Sequence, residues 1–214
     1  ERDIIRRDIK DVLLGAQVIN DLWKFTDGNA ITVSDVGQHQ MLEAQYYPHQ
    51  RPATMITSGG LGTMGFGLPA AIGAKFGRPD EEVWAIVGDG GFQMTLCELA
   101  TAVQENININ IAIINNNYLG MVRQWQEFFY EERYQATPMF SPDFVKLAEA
   151  YGITAIRVTR RDQIQEAVNF ARGHQGPTLI EFMVQKEEIV YPMVPAGADL
   201  HNMLRRPKPG EERA

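Results

Sequence analysis

VWAIVGDGGFQMTLCELATAVQENININIAIINNN (83–117) contains two apolar, β-rich runs, VWAIV (83–87) and INIAIIN (109–115), with glycines and a helix-forming stretch between them. Both runs are apolar throughout instead of alternating, which is how a strand reads when helices cover both faces of its sheet. The helix is predicted from Phe92 to Gln104. A strand–helix–strand unit of this length makes a right-handed crossover, returning the chain to the same edge of a parallel sheet, on a neighbouring strand. Each strand stops in a turn rich in chemistry: Gly88, Asp89, Gly90 and Gly91 after the first, Asn115, Asn116 and Asn117 after the second.

The same alternation extends outward in both directions. Upstream, ITVSD (31–35) and TMITS (54–58) read as short strands, and Phe66–Phe76 as a helix. Ile9, Val12, Leu13, Ala16, Ile19, Leu22 and Trp23 share one face at helical spacing, with Gly28 as a stop. Downstream, Ser141 and Pro142 suit the N-cap and first position of a helix through Ala150. TAIRV (154–158), a helix carrying Ile164, Ala167, Val168 and Ala171, and PTLIEFMV (177–184) complete the pattern. The expected fold is therefore α/β, a doubly wound, mostly parallel six-stranded sheet with helices on both faces. The expected domain runs over 1–190, followed by an irregular, proline-rich arm over 191–214.

The 214 residues suit one domain with a sizeable core. A net charge of −7 argues against a general nucleic-acid or anionic-membrane surface. Cys97 is the single cysteine, so no intrachain disulfide or cysteine metal cluster forms, a reducing compartment is the simplest setting, and the thiol reads as packed and inert. No apolar run reaches membrane-spanning length, and ERDIIRRDIK (1–10) is too charged for a signal peptide. Without an initiator methionine, the chain reads as a piece of something longer.

In a sheet of this kind ligands bind at the carboxyl ends of the strands, here after Asp35, Ser58, Val87 and Asn115. SGGLGTMGFG (58–67) contains a literal G-x-G-x-x-G at Gly60, Gly62 and Gly65, which invites a dinucleotide site but equally suits a tight turn with close helix–sheet packing. The ribose-binding acid that such a site needs has Asp89 as its one candidate, and a carboxylate between glycines suits phosphate or metal better. If the crossover brings Asp89 and Asn116 to neighbouring strand ends, a carboxylate, an amide oxygen and a backbone carbonyl converge as a hard-oxygen set. Such a set fits Mg²⁺ bridging a diphosphate.

GDGGFQMT…NNNYLGM, SGGLGTMGFGLPAAIGA, DVGQHQM and GMVRQWQ resemble the acetohydroxyacid synthase (acetolactate synthase) catalytic large subunits, from about Ile4 to Val194. The likeness covers the C-terminal, thiamin diphosphate-binding third of such enzymes; their pyrimidine-binding and middle domains have no counterpart here. The resemblance implies Mg²⁺ ligation by Asp89, Asn116 and the Tyr118 backbone carbonyl, although most relatives carry a different side chain at Tyr118. It implies thiamin diphosphate contacts from Val36, Gly37, Gln38, His39, Gly88, Gly90, Gly91, Leu119, Gly120 and Met121. Met64 would bend the cofactor beneath its thiazolium, and the Gly62 carbonyl would accept from its aminopyrimidine. Met121, Val122 and Trp125 would border the second-ketoacid site. Without the motif around them, His39 would read as a structural histidine and Met64 as core filler. Met121, Val122, Trp125 and Phe129 would read as the buried stripe of a helix. Glu127, Glu131 and Glu132 read most simply as a solvated face.

The reaction implied decarboxylates pyruvate and joins the two-carbon unit to pyruvate or 2-oxobutyrate, for branched-chain amino-acid synthesis. The glutamate that faces the cofactor's pyrimidine in that family comes from a partner subunit's pyrimidine domain, and no residue here matches it. FAD would belong to the middle domain. Dimers or tetramers of full-length chains, a small regulatory subunit, and a cytoplasmic setting (plastid or mitochondrion in a eukaryote) are further implications. Glyoxylate carboligase, sulfoacetaldehyde acetyltransferase and ketoacid decarboxylase are rival readings of the same architecture. An NAD-binding domain and a non-catalytic binding module are rivals from other classes.

Overall fold

The structure, a computed structural model, describes residues 2–207 apart from Asp8 and Lys10. Six strands pair in the order β2-β1-β3-β4-β6-β5, all parallel. They are β1 (Ile31–Ser34), β2 (Met55–Thr57), β3 (Val83–Gly88), β4 (Asn110–Asn115), β5 (Thr154–Val158) and β6 (Thr178–Met183). The expected sheet is thus present, and it is parallel throughout.

The continuous apolar runs are explained by two separate cores, because successive side chains on a strand point to opposite faces. Trp84, Ile86, Ala112, Ile114, Ile180 and Phe182 face one core, where they meet α1 (Gly15–Phe25), α2 (Gln38–Tyr46) and α8 (Ile164–Gly173). Val83, Ala85, Val87, Ile111, Ile113 and Leu179 face the other, against α3 (Gly67–Gly77), α5 (Leu99–Gln104) and α7 (Phe144–Ala150). The chain leaves β1 through α2 to the edge strand β2, then returns through α3 on the opposite face to β3 on the other side of β1. That reversal is the switch point at which open α/β sheets form a crevice.

Several local expectations shift. The first helix begins at Gly15, so Ile9, Val12 and Leu13 precede it; the Glu188 carboxylate accepts from the Gly15 and Ala16 N–H groups at 2.5 and 3.2 Å and fixes the start there. The helix expected from Phe92 starts instead at Asp89 as α4 (Asp89–Thr95), and a 3-10 turn at Leu96–Glu98 divides it from α5. Asp143, not Ser141, caps α7 through the Lys146 N–H. Cys97 is exposed, not packed. Of the predicted arm, Tyr191 and Met193 are buried and Met193 bridges Leu204, while residues 208–214 lie outside the described residues. No helix among the described residues is long and apolar enough to cross a membrane.

Asp35, fully buried just past β1, ties three segments together. Its carboxylate accepts from the N–H groups of Val36 (2.6 Å), Gly65 (3.0 Å) and Gly67 (2.8 Å). Asp35→Ala would leave buried donors without a partner, and urea denaturation should show a loss of about 3 kcal/mol. Glu43 on α2 is a second buried carboxyl, beside Thr32, Ser34 and His49. Burial pushes its pKa up to about 7, against a hydrogen bond from Thr32 that lowers it, and burial likewise lowers the pKa of His49. The folded state therefore holds the Glu43 proton more tightly than the unfolded chain, and stability falls as pH rises from the ordinary carboxylate range through about 7. Glu43→Gln should raise stability by about 2–3 kcal/mol at about pH 8 and have little effect at about pH 5, measured by paired denaturation curves.

Candidate functional site

The ends of β1, β3 and β4 meet at one cleft. Gly88 of β3 pairs with Ile114 of β4, so Asp89 and the asparagine run leave adjacent strands side by side. The predicted crossover has the length needed to bring them there.

Asp89 is 2% exposed and opens α4. The Ser141 hydroxyl donates to its Oδ2 at 2.9 Å, which is what this serine does instead of capping a helix. Burial raises the Asp89 pKa to about 6, opposed by Ser141 and by the backbone N–H groups of Gly90 and Asn117. No Lys or Arg pairs with this carboxylate among the described residues, so its negative charge is without a cation.

The three asparagines take different roles. Asn115 is buried, donates from Nδ2 to Glu181 at 2.8 Å, and accepts from the Asn117 N–H at 3.0 Å. Asn116 accepts from the Tyr118 N–H at 3.0 Å and donates from Nδ2 to Gln38 Oε1 at 3.2 Å. Asn117 adopts φ +56°, a left-handed conformation that asparagine tolerates better than most residues. Its carbonyl accepts from Met139, and the Leu119 N–H donates to Thr137, so the loop lies against residues 137–139. The loop then enters α6 (Gly120–Phe129).

His39, in the first turn of α2, is 6% exposed. Burial lowers its pKa to about 4 despite the nearby Asp35 carboxylate, and its Nε2 is buried without a hydrogen-bond partner. A Cβ at Gly88 would stand 2.8 Å from the imidazole, so glycine there lets the strand end pass against the ring. The N-termini of α2 and α6 both open at the cleft, offering unpaired backbone N–H groups and positive helix ends.

Most of the residues singled out in the sequence line this cleft together. From the end of β1 come Val36, Gly37, Gln38 and His39; from β3 and α4, Gly88, Asp89, Gly90 and Gly91. The asparagine loop and α6 contribute Asn116, Tyr118, Leu119, Gly120, Met121 and Val122, and Met64 reaches in from the glycine-rich turn. Gly62 and Trp125 are not part of the lining. Gly62 is exposed, with φ +65°. Trp125 borders a neighbouring groove with Met121, Val122, Gln126, Tyr130 and Arg133. The buried stripe that these residues would form without the motif is absent: Val122, Trp125 and Phe129 are 48%, 40% and 39% exposed, and Gln124 is the buried residue of the helix. Glu127 is no solvated residue either, since it pairs with Arg123 at 2.9 Å and its side chain is 6% exposed. Gln185, Glu188 and Val190 line the cleft without having been picked out, because the segment after β6 carries no motif and reaches the site only by folding back, and Gly15 joins them through its bond to Glu188.

The glycine motif has a different use from the one its spelling invites. The Gly65 and Gly67 N–H groups, which would have to meet a dinucleotide phosphate, are already bonded to Asp35. A Cβ at Gly91 would stand 2.6 Å from that same carboxylate. The turn is the close packing of helix on sheet.

The chain resembles acetolactate synthases over most of its length. It is 50% identical over 194 residues to the large subunit of Corynebacterium glutamicum, covering 88% of this chain and 31% of that protein. It is 42% identical to the isozyme 2 large subunit of Escherichia coli, over 92% of this chain and 36% of the relative. The chain thus spans about a third of these relatives' length. A thiamine diphosphate-dependent 4-hydroxybenzoylformate decarboxylase of Rhodococcus jostii superposes with a TM-score of 0.78 at 27% identity, over 86% of this chain and 34% of that one. The family described as thiamine pyrophosphate enzyme, C-terminal TPP binding domain, matches residues 35–182. That span takes in the carboxyl ends of β1, β3 and β4 around the cleft, and the chain belongs to this family.

Proposed function

We propose that this chain is the diphosphate- and Mg²⁺-binding part of an acetolactate synthase. The observation that carries the reading is the meeting of Asp89 and Asn116 on adjacent strand ends, beside a buried His39 with a free Nε2. The donor set fits the cation: one buried carboxylate without a basic partner, one amide oxygen, and the Tyr118 carbonyl in the same loop. No group of three or more His, Cys, Asp or Glu side chains fit for a metal occurs among the described residues, which suits an ion completing its shell with phosphate oxygens and water.

In this reading Asp89, Asn116 and Tyr118 hold Mg²⁺, and the N-terminal N–H groups of α2 and α6 receive the diphosphate. Anionic oxygens near His39 would raise its proton affinity and give it a second N–H to donate. Gly88, Gly90 and Gly91 keep the backbone close, Met64 would support the ring system, and the Gly62 carbonyl would accept from the pyrimidine amine. Met121, Val122 and Trp125 present exposed apolar surface to the second ketoacid. Thiamin diphosphate, when bound, supplies the electron sink for decarboxylation of a 2-ketoacid. The chain's own part is to anchor it and keep water from one wall of the pocket.

The substrates are pyruvate with pyruvate or 2-oxobutyrate, in branched-chain amino-acid synthesis. The assembly is a dimer or tetramer of full-length chains with FAD in another domain and, in some settings, a regulatory subunit. It belongs in a bacterial cytoplasm, or in a plastid or mitochondrion. An NAD-binding reading has less support, because the Gly65 and Gly67 donors are engaged by Asp35.

Isothermal titration with thiamin diphosphate and Mg²⁺ should show binding that Asp89→Ala abolishes, while NADH shows none; unchanged affinity in that variant would remove the reading. The 214 residues alone should form no acetolactate from pyruvate, since the glutamate facing the pyrimidine is expected from elsewhere. Measurable turnover by the purified chain would contradict that division of labour.

A further inference from the structure

An amide side chain can present either its oxygen or its nitrogen to a site, and only the oxygen binds a cation. Asn116 therefore has to be held in one of two orientations that differ little in shape. In this structure the Tyr118 N–H meets one end of the amide, and two glutamines, Gln38 in the cleft wall and Gln124 behind it, decide the other.

Gln124 is completely buried on α6. Its Oε1 accepts from the Val190 N–H at 2.9 Å, while its Nε2 donates to the Val190 carbonyl at 3.0 Å and to the Met193 sulfur at 3.3 Å. Reversing this amide would set oxygen against carbonyl oxygen and N–H against N–H, so the backbone of Val190 fixes its polarity. Gln124 Oε1 then also accepts from Gln38 Nε2 at 3.0 Å, and the Glu188 carbonyl accepts from the same nitrogen at 2.8 Å. With its nitrogen held by two acceptors, Gln38 can offer Asn116 only oxygen, which receives Asn116 Nδ2 at 3.2 Å. The remaining Asn116 oxygen is left on the other side, where the Tyr118 N–H occupies one lone pair. Gly120 makes room for this contact, since a Cβ there would collide with Gln38 Oε1 and stand 2.9 Å from Asn116 Nδ2.

We propose that Gln124 and Gln38 are positioning residues that transmit the donor–acceptor polarity of the Val190 backbone to Asn116, so that its oxygen and not its nitrogen faces the cation site. The segment after β6, which carries no ligand of its own, thereby sets the orientation of a ligand on β4. This inference rests on the metal-site reading above.

The test uses Mn²⁺ as the probe, titrated with thiamin diphosphate and followed by the electron paramagnetic resonance of free Mn²⁺. Gln124→Met removes the acceptor and should weaken Mn²⁺ binding about tenfold. Gln124→Glu, which can protonate in this buried position and then offers one acceptor and one donor as glutamine does, should stay within about twofold. In an Asn116→Asp background both oxygens accept, so Gln124→Met should cost less than about twofold. An equal loss in both backgrounds would mean a merely structural role and overturn the relay, as would no loss in the parent. In the metal-free chain, the Asn116 side-chain amide resonances should move in Gln124→Met and stay in place in Gln124→Glu; unmoved resonances in both overturn the relay whatever the metal does. Mn²⁺ binding that is absent from the parent or indifferent to Asp89→Ala overturns the metal-site reading, and with it the proposed purpose of the relay.

Discussion

The parallel ladder between β3 and β4 is the constraint on which the site depends. It lies at the centre of the sheet, with Trp84 to Gly88 paired to Asn110 to Ile114 and both faces covered by apolar side chains. Slipping the register by one residue would send every side chain of a strand to the opposite core. The two cores therefore fix how far each strand projects, and that sets Asp89 level with the asparagine loop. Asp89 and Asn116, separated by a helix and a strand in sequence, become neighbours because hydrophobic burial permits one register.

Around that ladder, buried polar groups are used to join segments that no apolar contact would hold at the required distance. Asp35 binds the glycine-rich turn to the end of β1, and Glu188 binds the segment after β6 to the start of α1. Gln124 pairs with the Val190 backbone in the manner of a short piece of sheet. A buried donor or acceptor without a partner costs more than a made hydrogen bond contributes, so each of these contacts tolerates little displacement. Asp89 and His39 depart from this pattern. In the cleft the Asp89 carboxylate has hydrogen bonds but no basic partner among the described residues, and the His39 Nε2 has no hydrogen-bond partner, a combination typical of functional sites.

Local pattern alone misjudged the start of α1, the face of α6 and the role of Ser141. The apolar run from Ile9 does not start a helix, because a carboxylate 173 residues away supplies the partner for the Gly15 N–H. Met121, Val122, Trp125 and Phe129 have the spacing of a core stripe, yet α6 turns much of that surface outward and buries Gln124. Ser141 has the composition of a cap and serves Asp89 instead. Each of these outcomes turns on a partner distant in sequence, which a local pattern does not contain.

The sequence by itself determined the α/β class, the six strands, and the pairing of Asp89 with Asn116, because apolar runs and crossover length depend on local composition and chirality alone. Its motifs also pointed to the family. The tertiary structure decided the rest: that Gly65 and Gly67 give their N–H groups to a buried aspartate, that Ser141 steadies Asp89, and that the glutamine chain from Val190 reaches Asn116. The physical reason is that a hydrogen bond has both a direction and a partner. Residue type supplies donors and acceptors, and only the packed chain determines which of them meet.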